Sequence, residues 1–321
     1  MFLPKCSGFE TNIRTLSVIV LACVMTVSCQ GKTEKGTQEH RDVRIAVSED
    51  GIPIEYEVKG DGGPALVFVH CWCCDRTYWK YQADIFSKHN RVVLVDLPGH
   101  GESGMGRETW TMPAYGRDVV AVADSLGLDS MILIGHSMGG PVALEAARMM
   151  PDRVIAVVGV DTFNDFEVKF NELQSMSFIK PLEENFTLAT GAFVKSLFTP
   201  NSDTALVREV IDDMSSAPPE VGIGSLKAYL ALDQAELIDQ VKIPIRGINS
   251  ARYPVKVETN KKHAVSYEVV FMEDVGHFPY LEDPETFNSH LTAIIKELMT
   301  GEASGDAAEA GGIEAATEGE Q

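Results

Sequence analysis

A serine framed by glycines at the end of an apolar run is the first place in this chain where chemistry can be read. Met131-Ile132-Leu133-Ile134 leads into Gly135-His136-Ser137-Met138-Gly139-Gly140, and a helix-forming stretch, Val142 to Met150, follows at once. In a strand–turn–helix with G-x-S-x-G at the turn, the serine backbone is strained and its Oγ stands clear at the end of the sheet. Gly135 and Gly139 lack β-carbons, so neighbouring backbone can close in around the turn. The amide of Met138 then sits at the start of the following helix, where it can stabilise a developing oxyanion. A serine hydroxyl attacks poorly until a base takes its proton. A neutral imidazole does this near pH 7 and can return the proton to a leaving group. His277, within Val275-Gly276-His277-Phe278-Pro279, is the candidate base. His70, His100 and His136 read as structural, and His40, His89, His263 and His290 as incidental.

Ser137 and His277 are far apart along the chain, so a sheet has to bring them together. Val43 to Val47 and Ile54 to Val58 alternate around Asp50-Gly51, a hairpin signal. Ala65 to Val69, Val92 to Val95, Ile132 to Ile134 and Val154 to Val160 are short apolar runs, as expected of strands covered on both faces. Helices are expected at Thr77 to Lys88 and at Pro113 to Leu126, the latter with Pro113 in its first turn and Gly127 after its end. From Phe163 to about Gln240 no strand is legible. Helical stretches at Phe166 to Met176, Phe193 to Phe198, Ala205 to Met214 and Leu226 to Ile238 are punctuated by Pro181, Pro200 and Pro218-Pro219. Strand Ile243 to Ile248, helix Val255 to Lys262, strand Tyr267 to Met272 and a final helix from Pro284 to Met299 then resume the alternation. This order predicts an α/β fold. Its mostly parallel sheet (42–162 and 241–300) is flanked by helices, and an all-helical cap (163–240) lies over the strand ends, where such sheets bind ligands.

The remaining composition bounds the function. The chain has 321 residues, 45% of them apolar, enough for a large core. A formal charge of −20 argues against nucleic acid as a partner. Six acidic and no basic residues follow Thr300, so 301–321 reads as a solvated tail. Lys5 and Arg14 precede an apolar run from Leu16 to Val27, too short to span a membrane, and residues 1–29 have the layout of an export signal. Thr26-Val27-Ser28-Cys29 resembles a bacterial lipoprotein signal, with Cys23 as a second option and 30–41 as a polar tether. The resemblance implies a periplasmic or cell-envelope protein that meets membrane only through a lipid on Cys29. Cys71, Cys73 and Cys74 are too close together for an ordinary disulfide framework and read as small buried residues beside the site. No nucleotide loop and no metal cluster can be read, so neither cofactor nor metal is expected.

Four motifs in order identify a family. His70-Cys71-Trp72 follows the third strand; Asp96-Leu97-Pro98-Gly99-His100-Gly101-Glu102-Ser103 follows the fourth; the Ser137 turn and the His277 segment come after. From Val43 to Met299 the chain resembles the α/β-hydrolase superfamily. The resemblance implies a nucleophile at Ser137, a base at His277 and an oxyanion hole from the amides of Trp72 and Met138. Cys71 stands where the family usually has glycine. The family usually places its triad acid after the strand ending near Ile248, but the chain there reads Asn249-Ser250-Ala251, with no acid before Pro254. Some relatives carry the acid one strand earlier, which makes Asp161 the candidate and Asp165 a second option, with an acid-free Ser-His dyad as the alternative. Asp161 could instead cap a helix opening the cap domain. A serine nucleophile implies acyl chemistry on a small carboxylic ester or related substrate. A non-catalytic binder on the same fold stays open as the alternative, as do C–C hydrolase, aminopeptidase and perhydrolase activities. Phe163, Phe166, Phe170, Phe178, Phe186, Phe193 and Phe198 suggest an apolar substrate group, or plain packing of the cap. For Trp72 and Trp79 the alternative is plain packing under the cap.

Overall fold

A computed structural model of the chain describes residues 42–301. The expected export signal, Cys29 and its tether, and the tail beyond Gly301 lie outside the described residues. The described residues form an eight-stranded sheet in the order β1-β2-β4-β3-β5-β6-β7-β8. These strands are Asp42–Val47, Pro53–Lys59, Ala65–Val69, Val92–Val95, Met131–His136, Val154–Val160, Ile245–Ser250 and Tyr267–Met272, numbered β1 to β8 along the chain. β1 and β2 form an antiparallel hairpin, and β2 also lies antiparallel to β4. All later pairings are parallel. The apolar runs predicted for the centre of the sheet are buried residue by residue, as β3 to β5 show. Helices flank it. Among α1 (Lys80–Phe86), α2 (Met112–Leu126) and α3 (Gly139–Met149), α2 packs on α3.

Helix ends follow local chemistry. Thr111 caps α2, Pro113 lies in its first turn, and Gly127 closes it with φ +59°.

The segment between β6 and β7 is helical, with boundaries that differ from the sequence reading. α4 runs Glu172–Glu184, α5 Phe186–Leu197, α6 Thr204–Met214, α7 Pro219–Leu230 and α8 Gln234–Asp239. The first helix starts later than Phe166 because Asn260 pins the chain there, accepting from the Phe166 amide (2.9 Å) and donating to the Phe163 carbonyl (2.6 Å). A capping box between Asn171 and Gln174 then sets its start. Pro181 lies inside α4 rather than ending it. Pro219 opens α7 as a first-turn proline, and the expected Leu226-to-Ile238 helix is broken where Asp233 caps α8. After β7 come α9 (Val257–His263), a short α10 (Pro279–Glu282) and α11 (Pro284–Thr300), which packs against α1.

Candidate active site

The turn after β5 has the backbone that its glycines predict. Ser137 is at φ +51°, a left-handed conformation that a non-glycine residue rarely adopts, and its amide donates to the Val160 carbonyl at 3.0 Å. A β-carbon on Gly135 would collide with the Gly139 carbonyl, and one on Gly139 would lie 2.5 Å from the Val69 oxygen. Both glycines are therefore forced by close backbone approach. Met138 sits at the N-terminus of α3.

His277 lies in the loop after β8, and both polar atoms of its main chain are held. Its amide donates to the Leu197 carbonyl at the end of α5 (2.9 Å), and its carbonyl accepts from His136 Nε2 (2.7 Å). Glu282 accepts from the amides on either side, those of Gly276 (2.9 Å) and Phe278 (3.4 Å). Ser202 in the cap donates to the other Glu282 oxygen at 2.5 Å.

The carboxylate beside His277 is Asp161. His277 Nδ1–H donates to Asp161 Oδ2 at 2.5 Å, and Asp161 Oδ1 accepts from the Ser250 amide at 2.9 Å. Asp161 is only 4% exposed and has φ +43°, immediately past the end of β6. It caps no helix, since α4 begins eleven residues later behind Asn171. Asp165 points elsewhere, into an ion pair with Lys256 at 2.8 Å. Ser250, where the resemblance implied an acid, braces Asp161 instead: its amide binds Asp161, and its hydroxyl donates to the Val275 carbonyl at 2.7 Å in the histidine loop. Nothing in the sequence near Ser250 signals this role. Only the pairing of β6 with β7 brings it there.

Ser137 and His277 line one cavity of about 90 Å³, together with Cys71, Trp72, Met138, Phe193, Leu197, Met214, Leu226 and Tyr229. The loop carrying Trp72 is shaped by His70, whose Nδ1–H donates to the Cys71 carbonyl (2.8 Å) while Nε2 accepts from the Leu97 amide (3.0 Å). Burial pushes the His70 imidazole below its ordinary pKa, which keeps it in this neutral form. Trp72 does reach the cap: its Nε1–H donates to the Gly222 carbonyl at 2.7 Å, and its ring meets Phe186 and Phe193 edge-on. Trp79 does not. It stacks on Tyr280, with centroids 4.2 Å apart, and touches Phe68 inside the core. Of the seven phenylalanines, Phe193 alone borders the cavity. Phe163 and Phe166 pack toward Tyr267, Phe170 meets Phe178, and Phe198 stacks on Phe278.

Cys71, Cys73 and Cys74 are free and buried, and Cys71 lines the cavity. Burial raises the Cys73 and Cys74 thiols well above the ordinary range, so they stay protonated. His100 is also buried, with Nδ1 against the Pro98 carbonyl at 3.3 Å, and burial lowers its pKa to about 3. Among the described residues no cluster of His, Cys, Asp or Glu could hold a metal ion.

Residues 66–290 match the model of the alpha/beta hydrolase family. The chain is 28% identical to the dihydrolipoyllysine-residue acetyltransferase component of the acetoin cleaving system of Pseudomonas putida, covering 75% of this chain and 66% of that protein's length. It is 28% identical to the pimeloyl-[acyl-carrier protein] methyl ester esterase of Hamiltonella defensa, over 71% of this chain and 91% of the relative. Among solved structures, an esterase from Rhodococcus superposes with a TM-score of 0.66 at 26% identity, covering 80% of this chain and 99% of that one.

Proposed function

The chain belongs to the alpha/beta hydrolase family, and on that premise we propose that it hydrolyses small, uncharged carboxylic esters through an acyl-enzyme on Ser137. The observation that carries this reading is the 2.5 Å bond from His277 Nδ1 to Asp161, made by an imidazole that shares a cavity with Ser137. With Nδ1 bearing the proton, Nε2 has the lone pair that takes the Ser137 proton as Oγ attacks the ester carbonyl. Asp161 stabilises the imidazolium. The Met138 and Trp72 amides receive the negative charge of the tetrahedral intermediate. Collapse breaks the acyl–oxygen bond, and His277 hands its proton to the departing alcohol. Water, deprotonated by the same histidine, then releases the acid and restores the serine.

The cavity favours a small neutral acyl group. Among the described residues no Lys, Arg, Asp or Glu lines it, so a charged group would be left unpaired, and its apolar wall and modest size suit a short chain. The esterases of Hamiltonella defensa and Rhodococcus that the chain is similar to also point to esters. The test is turnover of p-nitrophenyl esters of increasing acyl length. Acetate and butyrate should be hydrolysed and long chains poorly. Ser137→Ala should abolish turnover and labelling by a fluorophosphonate. Undiminished hydrolysis by Ser137→Ala would overturn the proposal.

A further inference from the structure

The residue before the nucleophile performs a task outside the triad. His136 is the last residue of β5 and fully buried. Its Nε2 faces the His277 carbonyl at 2.7 Å, and its Nδ1 faces the Tyr280 hydroxyl at 3.0 Å. A carbonyl only accepts, so Nε2 carries the hydrogen, and Nδ1 then accepts from Tyr280. Burial and the nearby His277 hold the His136 pKa well below its ordinary value, so the ring is neutral and owns one N–H. Tyr280 is itself fully buried and stacked on Trp79, which fixes where its hydroxyl points.

We infer that His136 is a positioning residue: it ties the main chain of the base directly to the strand end that carries the nucleophile, and Tyr280, donating to Nδ1, holds the ring in the orientation that makes the tie. Peptide geometry then sets the separation of the two reacting side chains, because His136 and Ser137 are chain neighbours and His136 bonds to His277 itself. Without this bond, His277 keeps its grip on Leu197 but loses the one on its carbonyl. The inference rests on reading Ser137 and His277 as nucleophile and base.

The test compares wild type with His136→Phe, His136→Gln and Tyr280→Phe on p-nitrophenyl butyrate, alongside the low-field proton resonance of His277 Nδ1–H. His136→Phe keeps the ring volume and removes both hydrogen bonds. It should lower kcat by about 100-fold, the scale of a misplacement near 1 Å, with KM little changed and the His277 resonance lost or broadened. Glutamine can place its amide nitrogen where Nε2 stood, so His136→Gln should recover much of both. Tyr280→Phe should give a smaller fall in kcat, because Nδ1 loses the donor that holds the ring in place. A folded His136→Phe with unchanged kcat and resonance would overturn the inference, as would a glutamine variant no better than phenylalanine. If His136→Phe does not fold, a folded Tyr280→Phe with lowered kcat supports the tie, and one with wild-type kcat overturns it. If wild type neither turns over ester nor labels at Ser137, the esterase reading fails. The resonance then decides alone: loss with phenylalanine and return with glutamine uphold the tie, and no change overturns it.

Discussion

Replacing Asp161 by asparagine isolates what the carboxylate does, because the two amino acids have the same shape. The two Asp161 oxygens have fixed duties: Oδ1 accepts from the Ser250 amide at 2.9 Å, and Oδ2 accepts from His277 Nδ1–H at 2.5 Å. An asparagine has one acceptor and one donor for these two places. With its oxygen toward the Ser250 N–H, its amide nitrogen faces the imidazole, and His277 must turn Nδ1 into an acceptor. The proton then sits on Nε2, and the base has no lone pair for Ser137. The opposite rotamer keeps the imidazole correct but sets two N–H groups against each other at a buried site, at about 1–3 kcal/mol. That penalty biases the site toward the inactive tautomer by roughly fivefold or more. Loss of the negative charge beside the imidazolium adds to it. The same exchange in a Ser-His-Asp triad of unrelated fold costs about 10⁴-fold in kcat, and a loss of about this order is expected here, with little change in KM or melting temperature. The assay is steady-state hydrolysis of p-nitrophenyl butyrate, with thermal melting as the control for folding. A folded Asp161→Asn variant within tenfold of wild-type kcat would refute the reasoning, since the imidazole would then need no carboxylate to orient it.

Two further outcomes follow from the geometry. Gly276→Ala would drive a β-carbon into the Leu197 carbonyl and to 2.9 Å from the Phe198 Cα, backbone that cannot step aside, so melting temperature and kcat should fall together, at about 1–3 kcal/mol of stability, and a wild-type melt and rate would contradict this. Acid should destabilise the fold through its buried histidines. His100 has a folded pKa of about 3 against an ordinary 6.5, so between these values the unfolded chain binds the proton and the folded chain does not. Stability is therefore lost as pH falls below about 6.5, at up to about 1.4 kcal/mol per unit for this residue. His70 and His136 act in the same direction. Asp118, raised to about 6, opposes them, because as pH falls it takes up its proton in the fold before it does in the unfolded chain. Urea unfolding from pH 7 to 4.5 should show the decline, and His100→Asn, which retains a donor for the Pro98 carbonyl, should flatten it.

Much of this architecture is written in local patterns. The strands before the Ser137 turn are short apolar runs, and the turn needs glycines because backbone passes within contact distance of it, so both are visible in a single sequence. The acid was harder to place. A carboxylate acts on a histidine through space, and whether residue 161 or residue 250 reaches it depends on which strands are neighbours. In the sheet, β6 lies beside β7, with Val160 opposite Ile248, so the two strand ends are adjacent and either could supply the acid. The grips of Ser250 on Asp161 and of His136 on His277 bridge 89 and 141 residues with no motif of their own. The cap aromatics were the least informative. Seven phenylalanines are compatible with a substrate wall, yet most of them satisfy packing between helices, and periodicity does not separate the two uses.

The bond from the Leu197 carbonyl to the His277 amide makes the lid more than a roof. The helix that ends there would have to let go of His277 in order to swing away, so in an opened conformation the proposed base would have lost part of its support. Chimeras that graft another member's lid onto this body would keep Ser137 intact and inherit a loosened His277 beside it. Successful grafts would need a backbone oxygen delivered to the same spot, whatever side chains the donor brings.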